Sequence, residues 1–365
     1  MTFMNGNEGS VAYVLRVEAD EFVPVVTNII AYKDDSALPL DQTYHFTGVW
    51  KLENGKVLTE RSIKSNRNYT FYPEFNQQSV YDEPLSTDYF DFIPTSYSDS
   101  NYAADIKTPN ASFDVQNGVK IEIKTGVHLQ GKITLPSYSP TGLPVISIGS
   151  TFATAPMGTV TWPNGTVGGG DITHIFWYAT EDKPCMLRMT TPYSLCASND
   201  GGAVSSKLKY FEFPSSFRYV GPNSFWNCNS LESLELGENT VAIGEIAFNY
   251  AFNPNATISL MKIPASVSSL GRYSFVGLEC TINTLQFGDE EHASQLQYFN
   301  GKDYATEALT EEEAIFYNNS PKISRIVMYV RSQQWADLMT NLLNQNDYVF
   351  RDLNYNYNYS ISIVE

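Results

Sequence analysis

The sequence predicts a mainly β chain wound into a solenoid of stacked coils, with a smaller β domain ahead of it. One phrase of sequence recurs between Leu208 and Asp289, its glycines Gly221, Gly244 and Gly271 standing 23 and 27 residues apart. Each glycine is followed four residues later by a phenylalanine: Phe225, Phe248 and Phe275. Short alternating stretches such as Phe211-Glu-Phe213 and Leu234-Glu-Leu236 precede two of the glycines, and such alternation marks strands with one buried face. A period in the twenties is the signature of a repeat array, in which one unit cannot bury its apolar face alone.

Within one unit the strand sends alternate side chains inward. Proline or glycine then turns the chain, the Ile/Val-Gly pair permits a tight bend, and the phenylalanine folds back under the strand. Stacked coils cover that ring from both sides and align their strands as a parallel sheet. Gly149 with Phe152, then Gly221 with Phe225 and Cys228, Gly244 with Phe248, and Gly271 with Phe275 are the expected repeat core.

These words resemble the BspA-like class of leucine-rich repeats, whose consensus runs roughly L-x-x-I-x-I-P-x-S-V-x-x-I-G-x-x-A-F-x-x-C. Ile263-Pro264-Ala265-Ser266-Val267 stands at the family's positions, as does Val220-Gly221 through Phe225 and Cys228. Leu270 takes the isoleucine place, Trp226 follows the phenylalanine of one coil, and Cys280 falls two positions late. The resemblance implies a leucine-rich-repeat solenoid with a parallel sheet and a role in extracellular attachment.

The first 75 residues are written differently. Tyr44-His-Phe46-Thr-Gly48-Val-Trp50 leads to Asn54-Gly55, a two-residue hairpin signal, and Asn68 to Phe75 alternates again. This stretch resembles the β-grasp repeats of the internalin B type, with Val49 inserted before the tryptophan and Pro73 and Phe75 replacing the usual alanine and tryptophan. It implies a small β-grasp-like domain over 1–75. Residues 76–110 shift to Ser, Asp, Tyr and Pro and read as an extended connector.

The solenoid is expected over 111–365. Asn117-Gly118 suggests a second hairpin, capping the edge of the first coil. Gly131 to Pro136 and Gly142 to Gly149 follow as coil text. Between Gly149 and Gly221 only Ile172-Thr-His-Ile175-Phe176 reads as a coil strand, and residues 153–206 are expected to be an insertion projecting from one face. Thr310 with Glu313 forms a capping box ahead of a short helix through Tyr317. Ile323 to Val330 should be the last coil strand, and Ser332 should open a helix with Trp335, Leu338, Met339, Leu342 and Leu343 on one face. The tail from Asn354 to Ile363 alternates as a strand, pairing within the cap or adding to a partner's sheet.

Composition bounds the function. With 40 acidic side chains against 23 basic, a net charge of −17 and a pI of about 4.6, the chain would be repelled by phosphate backbones and anionic lipid. Nucleic acid is therefore not an expected partner. No apolar run is long enough to span a bilayer, and residues 1–10 hold neither a basic segment nor an apolar run, so a secretory leader is not expected in them. Four cysteines are too few for a disulfide framework; Cys228 reads as a small buried apolar residue, while Cys185 and Cys196 are open to a bridge or to two free thiols.

Catalytic signatures are absent from the text. His45, His128, His174 and His292 lack metal-ligand spacing, no nucleophile elbow occurs, and Gly168-Gly-Gly170 is not followed by the lysine of a phosphate loop. No metal or cofactor is expected. Among 24 Tyr, 21 Phe and 5 Trp, the binding candidates are Trp162, Trp177 and Tyr178, because they belong to the expected insertion and aromatics anchor interfaces and stack on sugars. The leading expectation is a non-catalytic attachment and scaffold protein of a bacteriophage virion, in a tail or capsid decoration facing the host, with oligomerisation in keeping. Its partners would be other virion or surface proteins and a host surface protein or glycan. A bacterial cell-surface adhesin is the second reading and a polysaccharide-degrading enzyme the third.

Overall fold

A computed structural model describes residues 1–6, 10–26, 30–97, 116–153, 171–195, 206–310, 313–316, 322–344 and 358–364. The fold is mainly β, a leucine-rich-repeat solenoid carrying a small domain at its amino-terminal end. That domain is a four-stranded sheet in the order Val11–Val14, Thr2–Met4, Thr70–Ser79, Gln42–Lys51. Its two central strands run parallel, with Phe3 beside Phe71, and the outer pairs are antiparallel. Phe3, Trp50 and Phe71 make its core, Phe3 meeting the Trp50 ring edge-on at 5.0 Å. The Asn54-Gly55 turn is a three-residue loop rather than two. Gly55 donates to the Leu52 carbonyl, Lys56 receives the N–H of Leu52, and Gly55 sits at φ +81. This is a type I turn closed by a left-handed residue that matches the twist of the strands.

The solenoid is built from two walls. The first is a three-stranded parallel sheet of Gln130–Pro136, Asp171–Tyr178 and Tyr210–Phe211, followed by a four-stranded parallel sheet of Thr257–Ile263, Thr281–Phe287, Lys322–Val330 and Asn358–Ile363. Between them Leu231–Leu236 keeps only the isolated bridges Leu231 to Phe252 and Glu235 to Lys262. The opposite wall was not expected. The residues ahead of each glycine, Tyr219–Val220, Ala242–Ile243 and Ser269–Leu270, form a ladder of two-residue parallel strands in a nine-stranded sheet. The Ile/Val-Gly pair is thus a strand end as well as a bend.

The glycines serve the stacking of coils. Gly221, Gly244 and Gly271 do not have positive φ, yet a β carbon at Gly221 would stand 2.3 Å from the Thr190 carbonyl oxygen and one at Gly271 2.4 Å from the Glu245 nitrogen. Two residues later the chain enters the left-handed region, at Asn223, Ile246 and Tyr273, with φ of 56 to 59°. There each N–H donates to the next coil, Asn223 to Glu245, Ile246 to Arg272 and Tyr273 to Ala314. Between the walls the rings of Phe225, Phe248 and Phe275 stack at 5.0 and 5.4 Å with planes 20° and 12° apart. All three are buried, as are Phe152 and Cys228.

Phe316 continues this stack at 5.7 Å from Phe275, and Phe275 donates its N–H to the Ile315 carbonyl. Ala314-Ile315-Phe316 is therefore a further coil, where the sequence suggested the body of a short helix. The capping box survives as a contact, Glu313 accepting from the Thr310 N–H at 2.6 Å and hydroxyl at 2.7 Å. The expected insertion over 153–206 is also in part a coil. Ile172, Ile175, Trp177, Leu187 and Leu195 lie in the solenoid core, and Met189–Thr190 joins the nine-stranded sheet. Thr191 stands where other coils have glycine and Leu195 where they have phenylalanine, which hid the unit from a glycine-phenylalanine pattern.

At the amino-terminal edge Asn117-Gly118 lies inside the strand Gln116–Ile123, not in a turn. Gly118 is needed because a β carbon there would stand 2.5 Å from the Pro144 carbonyl oxygen. The antiparallel cap of that strand is Phe90–Tyr97, from the segment expected to be an extended connector. At the other end the helix Gln333–Asn344 buries Met339, Leu342 and Leu343, and the Ser332 carbonyl accepts from Ala336. The tail strand Asn358–Ile363 pairs with the chain's own Lys322–Val330. Among the described residues no helix is long and apolar enough to cross a membrane.

Candidate functional site in the cleft between domain and solenoid

The outward side chains of the first coil strands meet the amino-terminal domain. On Gln130–Pro136 these are Lys132 and Thr134, and on Asp171–Tyr178 they are His174 and Phe176, since Ile133, Leu135, Ile175 and Trp177 point into the core. Lys132, 9% exposed, donates from its ammonium to the carbonyls of Pro39 at 2.6 Å, Gln42 at 2.8 Å and Leu38 at 3.3 Å. Thr134 donates its hydroxyl to the Val80 carbonyl at 2.5 Å and receives the Leu85 N–H at 2.8 Å on its own carbonyl. Phe176 is covered edge-on by Tyr81 at 5.7 Å and flanked by Tyr210 at 5.5 Å. The Tyr81 hydroxyl donates to Glu212 at 3.1 Å, and Glu212 also accepts the Trp177 N–H at 2.8 Å.

This docking leaves a cleft of about 430 Å³ between the two units. Tyr32, Asp35, Tyr44, His45 and Glu83 line it from the domain side and Lys132 from the solenoid. Asp35, 3% exposed, accepts from the Thr43 hydroxyl at 2.7 Å, and burial raises its pKa against the opposing pull of that bond and of Lys132. Burial lowers the Lys132 pKa, while Asp35 and Asp41 oppose the shift. Burial also pushes Tyr32 up to about 12, with the Asp35 and Asp34 charges adding to it. At the rim Glu83 faces His45 at 3.2 Å and the Gln78 amide at 3.3 Å. These groups are paired acceptors and donors around aromatic rings, an arrangement suited to holding a ligand.

The residues expected to bind are placed elsewhere. Trp162 lies outside the described residues. Trp177 is 3% exposed and packs against Phe211 in the core, because alternation turns it inward from its strand. Tyr178 is half-buried at the end of that strand. Cys196 lies outside the described residues, and Cys185, partly buried, has its thiol pKa raised by burial. Among the described residues no group of three His, Cys, Asp or Glu is placed to hold a metal. Sequence reasoning missed Tyr32, Asp35 and Lys132. Alternation does turn Lys132 outward, but no sequence feature says that the first domain covers that face.

Residues 203–306 match the BspA type leucine rich repeat region, with six copies. The matched stretch includes the regular coils carrying Phe225, Phe248 and Phe275. Among solved structures, a leucine rich repeat protein of T. pallidum is 14% identical, with 77% of this chain and all of that chain covered, at a TM-score of 0.36. A leucine rich cell surface protein from Faecalibacterium prausnitzii is 11% identical, with 78% of this chain and 96% of that one covered, at a TM-score of 0.19. No curated protein matches the chain.

Proposed function

We propose that the chain is a non-catalytic attachment and scaffold protein displayed on the outside of a bacteriophage particle, in a tail or capsid decoration. The observation that supports the binding role is the array itself. Its repeat phenylalanines are spent on one continuous core from Phe90 to Leu343, which holds the outer faces as rigid display surfaces. A net charge of −17 keeps that surface off nucleic acid and anionic lipid and available to other partners. The match of residues 203–306 to BspA type repeats favours a second reading, a bacterial surface adhesin carrying the same module.

Mass spectrometry of purified virions and of the host cell envelope separates the two settings. The chain is expected among virion proteins; its recovery from the envelope alone would reject the particle. Incubation with host capsule and wall polymers is expected to release no reducing ends, and their release would replace attachment with hydrolysis.

A further inference from the structure

We infer that the cleft between the amino-terminal domain and the first coil is a binding site for a neutral saccharide of one or two rings, an inference that rests on the reading of the chain as an attachment protein. A volume of about 430 Å³ falls in the range of pockets that enclose small ligands. Tyr32, Tyr44, Phe46 and Tyr89 lend aromatic carbon to the lining, the kind of surface against which a sugar's C–H faces pack.

The polar lining argues for a neutral ligand. Lys132 is the sole lysine or arginine among the described lining residues, and its three N–H groups are met by the carbonyls of Leu38, Pro39 and Gln42. Among the described lining residues no lysine or arginine is left to hold a phosphate or carboxylate, and the Lys33 ammonium nearby is held 3.9 Å over the Tyr44 ring. The two lining aspartate and glutamate carboxylates are compensated, Asp35 by Thr43 and the nearby Lys132 charge, Glu83 by His45 and Gln78. Carboxylates bonded on one side retain lone pairs for ligand hydroxyls, and hydroxyl donors of a sugar meet that need without bringing charge. The cleft wall is fixed before any ligand arrives, because Lys132, Thr134 and Leu85 tie the domain to the coil, so little ordering would oppose binding.

Saturation-transfer difference NMR on the intact chain, with maltose, cellobiose, lactose and N,N′-diacetylchitobiose as probes, tests this. At least one disaccharide is expected to receive saturation on its ring protons. Its affinity should fall about tenfold in Glu83→Gln, which removes a charged acceptor, and similarly in Tyr44→Ala. Glu83 is half-exposed, so its variant keeps the fold even where loss of the Tyr44 ring does not. Three results would overturn the inference: no transfer from any probe, transfer unchanged in folded Glu83→Gln, or displacement of the disaccharide by glucose 6-phosphate acting as the preferred, anionic ligand. A silent cleft would leave the attachment reading standing, since that is judged by where the chain is found.

Discussion

Tyr32 meets Gly131 with the edge of its ring. A β carbon at Gly131 would stand 2.2 Å from Cε2 of that ring, and the glycine itself sits at φ +74, where the strand register slips by one residue before Lys132. The extra residue of this bulge, Thr173, lies on the neighbouring strand, and Gly131 opposite it supplies the bare surface on which the domain's tyrosine rests.

Gly131→Ala should therefore undock the domain rather than unfold the solenoid. The strained φ costs about 1–2 kcal/mol, and the displaced Tyr32 ring adds to it. Hydrogen exchange is expected to quicken at residues 38–42 and 80–85 and to stay unchanged in the coils of Phe248 and Phe275. Uniform quickening would show that domain and solenoid unfold as one unit.

Lys132→Met keeps the length of the side chain and removes the ammonium. Three carbonyls then lose their donor, at a cost of about 1–3 kcal/mol for buried groups left unpaired. Urea unfolding followed by domain-specific proteolysis should show the amino-terminal domain released at lower denaturant than in the parent.

Phe248 is sandwiched between Phe225 and Phe275 and has no exposed surface. Truncation to alanine leaves a cavity in the middle of the stack and should destabilise the solenoid by about 3–5 kcal/mol. Gly271→Ala, by contrast, pushes a methyl into the Glu245 backbone, for an overpacking cost of about 1–3 kcal/mol. Equilibrium denaturation checks both, and a negligible effect at Phe248 would contradict the continuous core.

His174 gives stability a defined dependence on pH. Burial pushes its pKa down to about 4 from the ordinary 6.5, with the Lys132 and Lys209 charges acting in the same direction. As pH falls from 6.5 towards 4, the unfolded chain takes up a proton that the folded chain refuses. The contribution of the neutral ring is therefore whole above pH 6.5 and is lost through that window. Glu212 and Asp35, whose pKa values are raised by burial, tilt stability the opposite way as pH falls. The comparison with His174→Gln isolates the ring: the variant should gain on the parent between pH 6.5 and 4 and run parallel to it above pH 7.

Much of the solenoid was legible because its packing is repeated. Phe225, Phe248 and Phe275 are spaced so that any coil predicts the next, and the helix with Met339, Leu342 and Leu343 follows from one-face periodicity. The coil of Thr191 and Leu195 escaped because its glycine is replaced at the position where the backbones approach. Asn117-Gly118 misled because the same dipeptide that favours a turn also permits the close pass beneath Pro144. At the cleft, neither Tyr32 nor Asp35 carries a motif, and the aromatic residues chosen from composition included Trp177, which strand alternation buries.

The repeat, its strands and the aromatic stack are written in the sequence, since each coil packs on neighbours some two dozen residues away and repeats the same side chains to do so. The second wall of short strands and the cleft emerge only on folding. The reason is chemical: Lys132 reaches Leu38 across 94 residues and binds backbone carbonyls, which every residue possesses and no sequence pattern distinguishes.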